Sequence, residues 1–334
     1  MEIKVEDLSK TYVIYKKNPG FKAAVMSLFH REKTKVNALK GISFHVGSGE
    51  IVGFVGSNGS GKTTTLKILA GLLSSTDGKV TIDQYIPFEK NYEFLKKLGF
   101  ISGQKGQLRP DLPAQDSFDF LASVYEINRV DAQKRIKGLS EKLGVEKFLN
   151  QSVRLLSLGQ KMKFELIASL IHRPQLLLLD EPTLGLDFAS AEAIREIIFQ
   201  EAKENGTTVI ISSHILDDIQ EICGRMIIIN GGLIVFDDLL EKCFESFAKY
   251  KMITVRLKAN QLSKASQIEK GGIKNMEGTS ITWEIPRNKV PHMVNLLMEK
   301  IEIDDITINE QPLGKVIELI TAANGQSSNI QEKL

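Results

Sequence analysis

The residues whose types and spacing most clearly imply chemistry run from Gly56 to Thr63, where G-S-N-G-S-G-K-T fits the pattern G-x-x-x-x-G-K-[ST]. Glycines let the backbone curl until several N–H groups and the positive end of a following helix face one anion, an approach that a Cβ would obstruct. Lys62 can reach the β and γ phosphates of a nucleotide, and the Thr63 hydroxyl can serve Mg²⁺. The candidate binding set is Gly56, Ser57, Asn58, Gly59, Ser60, Gly61, Lys62, Thr63 and the adjoining Thr64. Far along the chain, Asp180 and Glu181 follow four leucines, Leu176 to Leu179. Asp180 is suited to hold Mg²⁺, and Glu181 to polarise an attacking water as general base beside the γ-phosphate. Between them, Ser157, Leu158, Gly159 and Gln160 precede an apolar-periodic helix, a small polar residue and a glycine that make a second anion site. One nucleotide needs one cradle, so the second implies a partner subunit's nucleotide.

These groups need particular elements to hold them. The apolar run Ile51 to Val55 predicts a strand feeding the phosphate loop, and Leu66, Ile68, Leu69 and Leu72 mark the amphipathic helix that leaves it. The unbroken leucines predict a central strand of a parallel sheet buried on both faces, its acids emerging at the carboxyl end where ligands bind in open α/β sheets. Phe164, Ile167, Ala168 and Ile171 predict the helix behind the second anion site.

Bulk properties bound the rest. The chain has 334 residues, 42% hydrophobic and 25% charged, enough for a large core and two domains. Its net charge of +2 excludes a globally basic surface, and nucleic acid is not expected as a partner. No apolar run approaches the roughly 18 residues that span a bilayer, and the opening MEIKVEDLSK lacks the apolar core of a secretion signal, so a cytoplasmic chain is expected. Cys223 and Cys243 offer neither a disulfide framework nor a metal-ligand spacing and are read as reduced thiols.

At the second anion site the chain resembles the ATP-binding-cassette ATPases, whose signature LSGGQ appears here as Leu156-Ser157-Leu158-Gly159-Gln160. Leu158 departs from the first glycine of the pattern, while Ser157 and Gly159 are kept. The resemblance spans roughly residues 1 to 238, with every major motif in family order. It implies a P-loop NTPase fold of α/β class: a RecA-like core, an antiparallel β subdomain, and a helical subdomain at about residues 105–165. It also implies ATP and Mg²⁺ as ligands, and a head-to-tail pair of cassettes holding each ATP between the phosphate loop of one and the signature of the other. GFISGQKGQ resembles the glutamine loop, with Gln104 as the residue for Mg²⁺ and the attacking water and Gln107 as its rival. TTVIISSH ends in His214, which resembles the switch histidine that contacts the γ-phosphate. Asp187 closes the GLD segment that crosses the dimer interface, and Tyr12 in LSKTY resembles the adenine-stacking residue, with Tyr15 competing for the role.

The same resemblance implies a motor for transport, with membrane-spanning permease subunits encoded separately and a second copy of this chain or a related cassette completing the dimer. A soluble non-transport cassette protein is the less favoured class, because such chains carry two cassettes or a very long coiled coil between phosphate loop and signature. Past the cassette, MITVRLK and SITWEI alternate, VPHMVNLLMEKI is helical in pattern, and DITIN and a helix from about Pro312 to Ala323 follow. The sum is a small α+β domain over 240–323, read as ferredoxin-like, then a polar tail, 324–334, expected to be disordered. DDITINEQPLGKVIEL resembles the C-terminal segment of ABC-2 type exporter ATPases, so export is the expected direction. Trp283 is assigned to core packing.

One stretch interrupts the opening β structure. Residues 15–35 carry six Lys/Arg against one acid, Glu32, and from Phe21 a helix would set Phe21, Val25, Leu28 and Phe29 on one face. It is expected to cover the cassette's own β surface, to meet the permease, or to rest on anionic lipid at the inner face of the cell membrane, where each nearby cation contributes about 1 kcal/mol. Similar inserts occur in a little-characterised ABC-2 exporter group linked to xenobiotics such as viologens, and in polysaccharide and teichoic acid exporters. The first resemblance extends through GQKGQLRPDLP and LSLGQKMK and is preferred.

Overall fold

Alternating and unbroken apolar runs become two kinds of sheet. The computed structural model describes residues 1–15, 33–102, 106–258, 261–268 and 272–331, without the side chains of Tyr15 and of residues 323–331. The basic stretch between Tyr15 and Lys33, with its expected helix, and the glutamine Gln104 therefore lie outside the described residues.

Two long antiparallel strands, β1 (Ile3–Tyr15) and β2 (Lys33–Val46), open the chain, and β3 (Ile51–Val55) leads through the phosphate loop into α1 (Lys62–Leu69). β4 (Asp77–Ile82) pairs with the free side of β1, completing an antiparallel sheet ordered β2-β1-β4. After the single turn α2 (Tyr92–Leu95) and strand β5 (Leu98–Ser102) come three helices, α3 (Ala114–Val124), α4 (Arg129–Lys142) and α5 (Leu158–Leu170). β6 (Leu176–Asp180), α6 (Phe188–Asn205), β7 (Thr208–Ser212), α7 (Leu216–Ile222), β8 (Arg225–Asn230) and β9 (Leu233–Leu239) finish this part.

The second sheet has the order β5-β6-β7-β3-β8-β9, and its pairings from β5 through β8 are all parallel. Strand β3 is thus flanked by β7 and β8, and the carboxyl ends of β3, β6 and β7 emerge along one edge. That is where an open parallel sheet places its ligand. Leu176 through Leu179 are all buried, as a strand covered on both faces requires. One face packs on the antiparallel sheet: Ile3, Leu8, Ile42 and Phe44 meet Phe54, Leu66, Leu178 and Ile210, with the Phe44 and Phe54 rings 5.6 Å apart.

The chain divides into two units, Met1–Asp237 and Asp238–Leu334. In the second, α8 (Leu240–Phe247) precedes β10 (Tyr250–Leu257), α9 (Leu262–Ala265), β11 (Ile273–Glu277), β12 (Ser280–Pro286), α10 (Val290–Lys300), β13 (Ile303–Glu310) and α11 (Leu313–Gln331). The strands form one antiparallel sheet ordered β11-β12-β10-β13, the arrangement of a ferredoxin-like β-α-β-β-α-β unit. Its core holds Ile253, Val255, Ile281 and Trp283, whose indole N–H donates to the Ile268 carbonyl at 3.0 Å. The backbone of helix α11 runs to Gln331. Buried Leu313, Val316 and Ile320 anchor its first turns. Both cysteines are buried and unpaired, and burial pushes both thiols up, that of Cys243 to about 11.

Candidate functional site

The phosphate loop owes its shape to contacts that only glycine tolerates. A Cβ on Gly56 would lie 2.2 Å from the Ile229 carbonyl oxygen, so β8 can press against the loop only if that residue has no side chain. Gly61 caps α1 with φ 119°, and a Cβ there would meet Leu39 at 2.6 Å. The Lys62 ammonium bends back over the cradle and donates to the carbonyls of Gly56 and Ser57 at 2.6 and 3.1 Å. Burial lowers its pKa, against the pull of the Glu181 and Asp180 carboxylates.

Parallel register sets the acids. Asp180 on β6 lies opposite Ser212 on β7, and Ser212 Oγ donates to Asp180 Oδ1 at 2.6 Å. The same carboxylate oxygen accepts from Thr63 Oγ1 at 3.0 Å, which ties the start of α1 to the end of β6. Two hydroxyls and one carboxylate are hard oxygen donors of the kind Mg²⁺ takes. Among the described residues no group of three or more His, Cys, Asp or Glu forms a cage of its own. The Thr63 hydroxyl and the Asp180 carboxylate fit Mg²⁺ as hard oxygen donors.

Glu181 departs from strand geometry at once, with φ 54° in the left-handed region that a side chain occupies at a cost of roughly 1 kcal/mol or more. Its N–H donates to the Ser212 carbonyl at 2.9 Å. The turn aims its carboxylate at His214, whose Nδ1 lies 3.1 Å from Glu181 Oε2. An acid and an imidazole from two different loops are thereby brought together beside Asp180.

The segment expected to hold a second anion is a helix N-terminus with a complete capping box. The Gln160 N–H donates to Ser157 Oγ at 3.2 Å, and the Ser157 N–H donates to Gln160 Oε1 at 2.9 Å. Because Ser157 Oγ is the acceptor in that cap, its own proton remains free for an incoming oxygen. A Cβ on Gly159 would come 2.9 Å from Ser190 Oγ and 3.5 Å from Asp187 Oδ2. Asp187 in turn caps α6, accepting from the Ser190 N–H at 2.9 Å. The kept glycine therefore joins the caps of α5 and α6, while Leu158, the departure from the pattern, is exposed beside Gly185.

Tyr12 sits half-exposed at the end of β1 with its hydroxyl 3.4 Å from Thr64 Oγ1 and the Lys10 ammonium 5.5 Å from its ring centre. Gln107 turns its amide to the Phe100 carbonyl, 3.2 Å away. Glu165 of α5 accepts from the backbone N–H groups of Gln107 and Leu108 at 2.8 and 3.3 Å, and burial raises its pKa.

Several of these residues escaped the sequence reading. Ser212 could have been suspected from its place in the serine pair before His214. Glu165 carries no local signal, and neither does a buried set formed by Thr183, Arg195, Ser213 and Asp218.

The chain is similar to known proteins in sequence and in fold. Residues 39–184 match a family model described as ABC transporter, and residues 249–309 match one described as EvrA-like ABC transporter, C-terminal domain. The chain is 34% identical to the ABC transporter ATP-binding protein NatA of Bacillus subtilis over 65% of its own length and 88% of the relative's. It is 33% identical to the linearmycin resistance ATP-binding protein LnrL of the same organism, over 59% of this chain and 63% of that one. A solved dimeric ATP-binding cassette, in a post-hydrolysis state with ADP and Pi, superposes with a TM-score of 0.60 at 26% identity, covering 71% of this chain and 98% of that one.

Proposed function

This chain belongs to the ATP-binding-cassette transporter ATPases, and from that premise we propose that it powers export through separate ABC-2 type permease subunits. The observation that carries the reading is the convergence, along one sheet edge, of the phosphate loop, Asp180 with Thr63, and Glu181 with His214. Lys62 and the loop amides bind the triphosphate, Tyr12 lies against the base, and Glu181 takes the proton of the attacking water. Bound Mg²⁺ supplies charge neutralisation between the phosphates, with Thr63 and Asp180 holding it. Ser157 and Gly159 face the nucleotide of a second copy of this chain or of a related cassette. ATP then acts as an adhesive between two cassettes, and hydrolysis with phosphate release removes the attraction.

An apolar groove supports docking to a membrane partner. Leu72, Tyr92, Leu95, Phe100, Val124 and Tyr125 line a cavity of about 390 Å³, and Gln107 lies in its wall. It suits the apolar face of a short cytoplasmic helix of the permease. Through Gln107 and Glu165 it is linked to α5, whose N-terminus is capped by Ser157, so an occupant of the groove can bias the signature. No helix among the described residues is long and apolar enough to cross a membrane. A relative named for linearmycin resistance supports export over uptake. The basic stretch between Tyr15 and Lys33 adds a contact with permease or anionic lipid.

The test is purification with a candidate permease from a neighbouring gene. Copurification, loss of the complex on Tyr92→Asp, and weakened coupling on charge reversal at Lys16, Lys17, Lys33 and Lys35 are expected. A stable ATPase that is fully active and indifferent to every membrane partner would refute the transport role.

A further inference from the structure

Asp218 has no exposed surface and belongs to none of the motifs that bind nucleotide. Three donors converge on its carboxylate. Arg195 of α6 donates to Oδ1 at 3.0 Å, while the Ser213 hydroxyl at 2.8 Å and the Thr183 hydroxyl both reach Oδ2. Arg195 is also buried, and its Nε pairs with Glu221. The positions of the two hydroxyls matter more than their number. Thr183 stands two residues beyond Glu181, in the turn closed by the Leu184 N–H on the Glu181 carbonyl at 3.3 Å. Ser213 immediately precedes His214, and its Oγ accepts the Ile215 N–H at 2.9 Å, so His214 sits inside the small turn that Ser213 holds.

From this convergence we infer that Asp218 is a positioning residue for hydrolysis: it holds the Glu181 turn and the His214 turn on one carboxylate oxygen and so sets the distance between them. The inference rests on the reading of Glu181 and His214 as the reacting pair. Neither residue lies within a strand, and the left-handed φ of Glu181 leaves its turn under strain. The register of β6 and β7 ends at Asp180 and Ser212, and the last backbone bond between the two segments runs from the Glu181 N–H to the Ser212 carbonyl, two residues before His214. Beyond that point two contacts tie the loops to each other, the Glu181–His214 pair itself and the buried Asp218 cluster behind it. A buried carboxylate with three donors keeps its geometry because releasing any donor leaves a polar group unsatisfied. Arg195 carries the same tie into α6, the helix capped by Asp187, so the two catalytic loops and the interface segment share one anchor.

The experiment measures steady-state ATP hydrolysis by the full chain carrying Asp218→Asn or Ser213→Ala, beside Glu181→Gln as control, with thermal melts to verify folding. The expected result is a KM for ATP within about twofold of wild type and a kcat lowered roughly tenfold or more, since a displacement near 1 Å can cost about 10²-fold. Ser213→Ala removes one donor and leaves the Arg195 pair, so it decides the matter if Asp218→Asn fails to fold. Wild-type kcat in a folded variant, with Glu181→Gln inactive, overturns the role of Asp218 alone. An equal loss of ATP affinity and kcat with a lowered melt also overturns it, as a structural role. Turnover in Glu181→Gln overturns the underlying assignment of the general base instead.

Discussion

His214 Nδ1 and Glu181 Oε2 lie 3.1 Å apart, although the two residues belong to different loops, one leaving β6 and the other β7. Each side chain therefore holds the other at the sheet edge beside Asp180.

If Glu181 is the general base, Glu181→Gln keeps ATP binding and lowers turnover by about 10² to 10⁴-fold. The variant accumulates as an ATP-bound dimer, visible by gel filtration in Mg²⁺ and ATP. Hydrolysis near the wild-type rate would remove the assignment.

The phosphate loop makes a prediction about two glycines. Gly56→Ala drives a Cβ into the Ile229 backbone at 2.2 Å, whereas Gly59 has open space around it and only a φ of 79° to strain. Overpacking against backbone costs roughly 1–3 kcal/mol or more, and a left-handed alanine about 1 kcal/mol. Thermal melts without nucleotide should rank Gly56→Ala well below Gly59→Ala; equal melts would show that β8 does not constrain the loop.

Ser157→Ala removes the cap of α5 and the hydroxyl offered to a second subunit. A loss of about 1 kcal/mol in monomer stability is expected. Single-chain nucleotide affinity stays unchanged while the ATP-dependent dimer weakens. Fluorescent-nucleotide titration and sedimentation separate these effects, and an unweakened dimer would place the signature contact elsewhere.

His172 stacks on Tyr125 with ring centres 3.9 Å apart, and its Nε2 meets the Leu98 carbonyl at 3.0 Å. Burial lowers its pKa from 6.5 to about 4. Between those values the unfolded chain binds the proton and the folded chain does not, so stability falls as pH drops from 6.5 towards 4. The contribution lost is about 3 kcal/mol. His172→Gln keeps a donor for Leu98 and cannot titrate. The difference in melting between it and wild type should therefore shrink towards acid pH, and a difference independent of pH would deny the shift.

The legibility of the site followed from how each part is built. The phosphate loop, the acids after the leucines and the signature each lie in consecutive residues whose backbone and side chains act together. Their candidate chemistry could be proposed from spacing and resemblance, and the strand and helix that frame Lys62 could be read from apolar pattern. Ser212 on Asp180, Glu165 under the Gln107 backbone and Asp218 between two loops are contacts between residues distant in the chain. Nothing in local pattern marks Glu165 apart from any other helical glutamate.

By itself, then, the sequence determined that the chain is a nucleotide-hydrolysing cassette, which residues are the candidates for its phosphates, and that a second unit follows the cassette. Tertiary structure alone decided that Glu181 turns left-handed to meet His214, that Gly159 sits on the cap of α6, and that a buried carboxylate ties the loops that follow β6 and β7. The physical reason is range. Propensity and periodicity act over a few residues, whereas the register of parallel strands joined by helical crossovers is set only when the whole sheet buries both of its faces.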